Sequence, residues 1–202
     1  MCVAEGDSKQ TAHTMAALDV ALGGQRSAAA AVKRNPRLLE ARATTILKAM
    51  AALVEAIGDQ QLAIDLAQRK PGLLLVSTDD IRETMKALGE ALGDEEKAAA
   101  AVLVRPSLLE ASAGNVRRAM VALVEAVGDQ ETTIAVVQRD PGLLAASSKT
   151  IREAMAVLAE ALGQEMAITA VYQNPSLLLT RASTLNSTLL GLVRRKGEPR
   201  EE

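Results

Sequence analysis

Arginine and lysine recur just ahead of a series of prolines: Arg34, Arg69 with Lys70, Arg105 and Arg139 stand one or two places before Pro36, Pro71, Pro106 and Pro141. Cations repeated at one register can meet successive phosphates of a polyanion. They can equally bond the free carbonyls at a helix end and complement its dipole. The second reading is favoured, because Tyr172-Gln173-Asn174 interrupts the row before Pro175 and no aromatic side chains alternate with it as stacking platforms. A second basic row comprises Lys48, Arg82, Arg117 with Arg118, and Arg152; an acidic row comprises Glu55, Glu90, Glu125 and Glu160. The bases fall early and the acids late in their helices, against the dipole preference, so helix propensity alone does not account for them. Together they predict a surface with a basic edge and an acidic edge, suited to a charged protein partner more than to a polyanion. A plain solvated face is the favoured account of these rows.

Other reactive side chains are sparse. His13 is the one histidine, Cys2 the one cysteine and Tyr172 the one aromatic residue. A single thiol excludes an internal disulfide and a multi-cysteine metal site. His13 lacks a second metal-ligating partner nearby and is expected to be exposed, and Tyr172 is a candidate contact residue. Methionines at 15, 50, 85, 120 and 155 could form an adaptable binding stripe, but at helical spacing within an apolar face they are expected in the core. No glycine-rich phosphate loop, nucleophile with a base, or ligand cluster is present. The expectation is a protein without enzymatic activity, cofactor, metal or small-molecule substrate.

The elements that place these rows follow from a repeat. Pro36, Pro71, Pro106, Pro141 and Pro175 each open a Pro-x-Leu-Leu sequence, at steps of 35 residues and finally 34. Ten, fourteen and seventeen residues later come Ile46/Met50/Leu53, Ile81/Met85/Leu88, Val116/Met120/Leu123, Ile151/Met155/Leu158 and Leu185/Leu189/Leu192. Spacings of four and three put these on one helix face. The stripe continues to Ile57, Leu92, Val127 and Leu162, and Gly58, Gly93, Gly128 and Gly163 then supply left-handed helix ends. This predicts a helix B from about ten to about twenty-one residues past each proline. Asp59, Asp94 and Asp129 are placed to cap a shorter, alanine-rich helix A, which the next proline stops. A 70-residue period lies over the shorter one: Leu53–Gln60 resembles Leu123–Gln130, and Pro71-Gly-Leu-Leu matches Pro141-Gly-Leu-Leu.

One such unit cannot bury enough apolar surface to offset the entropy of ordering its chain, so neighbouring units must stack. The predicted fold is all-α: a right-handed or gently curved α-solenoid of about five 35-residue helix–turn–helix repeats with an exposed concave face. Residues 1–10 are read as a flexible segment and 11–195 as a single repeat domain. That domain starts with a half unit at 11–22, followed by units ending near 57, 92, 127, 162 and 195; 196–202 form a polar tail.

The proline, the leucine three residues on, the apolar residues at ten and seventeen and the closing Leu-Gly resemble the repeat of the mitochondrial transcription termination factor (mTERF) family. The resemblance covers nearly the whole chain in one register. It implies an organellar, non-enzymatic solenoid, often one that binds DNA or RNA through a basic concave groove. Members that bind nucleic acid are generally basic, whereas this chain of 202 residues has a net charge of −2.

Composition narrows the choice further. With 49% apolar residues but no Phe or Trp, the core must be aliphatic. The low net charge offers no strong field for nucleic acid or anionic lipid, and no apolar run approaches the roughly 18 residues of a membrane span. Residues 1–10 are polar, so any targeting segment is absent from this numbering. The reading is a scaffold or accessory subunit making protein–protein contacts in a larger photosynthetic, respiratory or ribosomal assembly of a plastid or mitochondrion, with a cytoplasmic location as the other option. The alternative is an mTERF-like organellar DNA- or RNA-binding protein.

Overall fold

The computed structural model describes residues 3–185, so Cys2, the helix expected at 185–195 beyond its first residue, and the tail at 196–202 lie outside the described residues. Within that span the chain is all-helical. After α1 (Val3–Leu22), one sequence of elements recurs: a ten-residue helix A, a five-residue 3₁₀ turn opened by proline, and a fifteen-residue helix B. The A helices are α2 (Gln25–Arg34), α4 (Gln60–Arg69), α6 (Glu95–Val104), α8 (Gln130–Arg139) and α10 (Gln164–Gln173). The B helices are α3 (Ala43–Ile57), α5 (Thr78–Leu92), α7 (Ala113–Val127) and α9 (Ser148–Leu162).

Each boundary has a local cause. The residue before each proline adopts an extended backbone, as at Lys70 (φ −131°, ψ 77°) and Asn174 (φ −137°, ψ 85°), because the following ring disfavours the helical region there. Leucines of each turn then point inward: Leu38, Leu73, Leu74, Leu108, Leu143, Leu144 and Leu178 are fully buried, while Leu39 and Leu177 are half-buried. Asp59, Asp94 and Asp129 cap the next A helices, their carboxylates accepting from the backbone N–H groups of Leu62, Glu96 and Thr132 at 2.8–2.9 Å. Hydrogen bonds from Thr132, chiefly its backbone N–H, hold the Asp129 carboxyl below its ordinary range.

The shortened step before Pro175 is absorbed at one junction. Where the other units have Gly-Asp, α9 passes to α10 through Gly163 alone, which takes φ 81°, ψ 156° and serves as N-cap without a side-chain bond. Leu162 beside it is exposed, while its counterparts Leu92 and Val127 are buried and Ile57 is half-buried.

Two boundaries differ from the sequence expectation. Helix B begins seven residues after the proline instead of ten, for example at Thr78 after Pro71. The extra turn is capped from outside the apolar stripe: the hydroxyls of Ser77 and Ser147 accept from the N–H groups of Asp80 and Thr150. The Ser77 hydroxyl also donates to the Asp80 carboxylate at 2.7 Å. Likewise α1 starts at Val3, within the stretch read as a flexible segment. With no proline in residues 3–10, a helix nucleated by the packed 11–22 stretch extends backwards at little cost.

The chain divides into two compact units, residues 1–89 with 94–113, and residues 90–93 with 114–202. In the first, α1 packs on α3, α3 on α4, and the Pro36–Glu40 turn on the Pro71–Leu75 turn. In the second, α9 packs on α10 and the Pro141–Ala145 turn on the Pro175–Leu179 turn. The cores are aliphatic and rich in small residues: Ala28, Ala31, Ala63, Ala67, Ala98 and Ala167 on the A helices are buried, letting helices approach closely. Met50 and Met155 are buried, and Met15, Met85 and Met120 are half-buried.

Gly58 isolates the cost of the helix end, because its φ is +77° and a Cβ built there meets no atom within 4 Å. Gly58→Ala is expected to lose about 1 kcal/mol from backbone strain alone, and Gly58→Asn less, since Asn tolerates the left-handed region. Urea unfolding midpoints of the two variants check this; an alanine variant as stable as the parent contradicts it.

Candidate interaction surfaces

The acidic and basic rows of the B helices meet. Arg82 reaches back 27 residues to Glu55 at 2.7 Å, Arg117 to Glu90 at 3.0 Å and Arg152 to Glu125 at 2.9 Å. In each pair the glutamate stands in the last turn of one helix B and the arginine in the second turn of the next, which explains why both sit against their own helix dipoles. At Glu55/Arg82, Glu90/Arg117 and Glu125/Arg152 the expected basic and acidic edges are therefore a repeated rung of ion pairs, a ladder in sequence register. All six side chains are about half exposed, so each rung contributes little by itself, but the shared geometry fixes how one repeat registers on the next. The Arg82 guanidinium, through its hydrogen bond first and its charge second, holds the Glu55 carboxyl below its ordinary value of 4.5. Lys48 and Arg118 stand one residue outside this register and are exposed.

The row ahead of the prolines is also drawn into inter-repeat contacts. Arg69 donates to the Leu103 carbonyl at 2.7 Å and Arg139 to the Gln173 carbonyl at 3.5 Å, each 34 residues on, at the end of the following helix A. Arg139 also lies 5.3 Å from the Tyr172 ring centroid, so Tyr172 serves as a cation–π partner while 43% of it stays exposed. Lys70 pairs with Glu110 at 3.0 Å. Arg34 bonds its own helix, donating to the Ala30 carbonyl at 3.2 Å. Arg105 keeps the same register. Arg34, Leu62, Asp65, Gln68, Arg69 and Leu103 border an open groove of about 510 Å³ on the A helices of the first unit.

Below the ladder, buried hydroxyls use the same 27-residue step. Thr14 donates to the Ala41 carbonyl at 2.8 Å and Thr84 to the Ala111 carbonyl at 3.0 Å, so the end of the 3₁₀ turn in the next repeat is satisfied from inside.

One surface escaped the sequence reading. Residues 20 and 47 hold the glutamate and arginine registers of the first rung, 35 residues before Glu55 and Arg82, yet they are Val20 and Leu47. They are 75% and 42% exposed and help line an open groove of about 610 Å³ along α1 and α3, with His13 and Arg42 at its border. Comparing each unit with the rung pattern would have revealed it. The pattern becomes visible only once Glu55 is known to face Arg82.

Among the described residues no cluster of three or more His, Cys, Asp or Glu side chains could hold a metal ion, and no helix is long and apolar enough to cross a membrane. No protein-family model matches the chain, and no curated protein matches it.

The ladder predicts that Glu125→Arg and Arg152→Glu each lower the urea midpoint, while the double swap recovers most of the loss; equal loss in the swap contradicts a direct pair. For pH, the depressed Glu55 carboxyl contributes stability that is complete above its ordinary value of 4.5 and lost as pH falls through its lower folded-state value. Glu55→Gln is thus expected to flatten the acid limb of stability against pH. An unchanged limb contradicts the assignment.

Proposed function

We propose that this chain is a non-enzymatic scaffold or accessory subunit that makes protein–protein contacts in a larger assembly, with its repeats arranged as an mTERF-like α-solenoid. The observation that carries this reading is the use of the arginines. Arg82, Arg117 and Arg152 neutralise glutamates of the preceding repeat, and Arg69 and Arg139 are directed at backbone carbonyls. A polyanion site needs cations whose charge is available to phosphates, and its affinity grows with the number it neutralises. Pairing reduces that availability at Arg82, Arg117 and Arg152. Exposed aliphatic side chains, among them Val20, Leu47, Val104, Val121 and Met166, are what the surface leaves uncovered, and these suit protein contacts. The resemblance of the repeat supports a plastid or mitochondrial setting, such as a photosynthetic, respiratory or ribosomal complex.

Two measurements separate this from the nucleic-acid reading. Binding to mixed single- and double-stranded DNA and RNA is expected to be weak at about 50 mM salt; tight binding that falls by about a thousandfold or more at about 200 mM would overturn the scaffold reading. Gentle purification from the native source is expected to return the chain with stoichiometric protein partners. Recovery as a monomer without partners contradicts the proposal.

A further inference from the structure

The first junction of the repeat differs from the three that follow it in one paired way. At the others, a glutamate and an arginine 27 residues apart close the seam between successive B helices. At the first, both positions are aliphatic, and Val20 and Leu47 open onto the groove along α1 and α3. Exchanging a single partner would leave an unpaired charge; exchanging both leaves apolar surface in water and returns no burial, since Val20 is 75% exposed.

The charge around the groove says what would cover it. Its lining includes Ala16, Ala17 and Ala43, whose small side chains leave a trough between the two larger ones. Among the described residues Arg42 is its one formally charged lining residue, His13 stands beside it, and no carboxylate lines it. The rung glutamate is here Val20, and Arg42 stands where the later units have Ser77, Ser112 and Ser147, so it is a cation particular to this junction. An apolar trough with a positive border matches a helix whose aliphatic residues recur every three or four positions and are flanked by carboxylates.

We infer that the groove formed by α1 and α3 is a docking site for an acidic amphipathic helix of a partner protein, with Val20 and Leu47 as its apolar walls and Arg42 as its charge selector. This rests on the protein-partner reading above and gives that reading a location.

The test uses the full chain and two labelled helical peptides of alanine and leucine, one flanked by glutamates and one by lysines. Val20→Glu with Leu47→Arg installs the rung already present at the other junctions, so the variant is expected to fold, which circular dichroism verifies. The glutamate peptide is expected to bind the parent chain at least about tenfold more tightly than the lysine peptide. It should lose about tenfold or more in the double variant, and Arg42→Glu should reverse the preference between peptides. Equal binding by parent and double variant, or no saturable binding of either peptide, overturns the inference. A concentration-dependent dimer of the parent that the double variant lacks also overturns it, because the groove is then covered by a second copy. Native purification of both chains separates the two levels: partners kept by the double variant refute the groove alone, whereas a parent chain without partners refutes the scaffold reading.

Discussion

The structure depends on a shortage. Each 35-residue unit carries two helices and a turn, too little to bury its own apolar face against the entropy of ordering the chain. Contact with the next unit is the remedy, and the Pro-x-Leu-Leu turn is where it concentrates. The proline ends helix A and opens the 3₁₀ turn. Its leucines are driven into the seam, where turn packs on turn within each compact unit. Alanine on the A helices serves the same need, because small side chains allow the close approach that a core without Phe or Trp requires.

The polar side chains follow this seam. Two sets of contacts span 27 residues: buried threonines bond the end of the next 3₁₀ turn, and exposed Arg–Glu pairs connect one helix B to the next. A third connection, 34 residues long, runs from the end of one helix A to the end of the next through Arg69 and Arg139. Exposed ion pairs add little energy individually, so their value lies in excluding slipped registers that an aliphatic seam would otherwise tolerate. That use of charge has a functional consequence. On the reading proposed above, side chains that fix the stacking of repeats are less available to phosphates, and recognition falls to the places where the pattern is broken.

Much of the fold was legible because its signals are local. Proline position, the four-and-three spacing of Ile81, Met85 and Leu88, the glycine ends and the aspartate caps each act within a few residues, and each element lies where those signals put it. The starts of the B helices were missed because Ser77 and Ser147 cap from beyond the apolar stripe, a signal independent of periodicity. The surface was less legible. Glu55 and Arg82 could be seen as rows, but their meeting depends on how one repeat sits on the next, which no local rule supplies. The Val20 and Leu47 exception was invisible until that meeting was known.

The dependence of each unit on its neighbours is tested most directly by comparing the full chain with an isolated repeat, residues 60–92, by circular dichroism and thermal unfolding. The account predicts a full chain that is helical and melts cooperatively, and a single repeat with little helix and no cooperative transition. An isolated repeat that keeps its helices and melts cooperatively as a monomer would contradict it, because its stability would then come from within the unit.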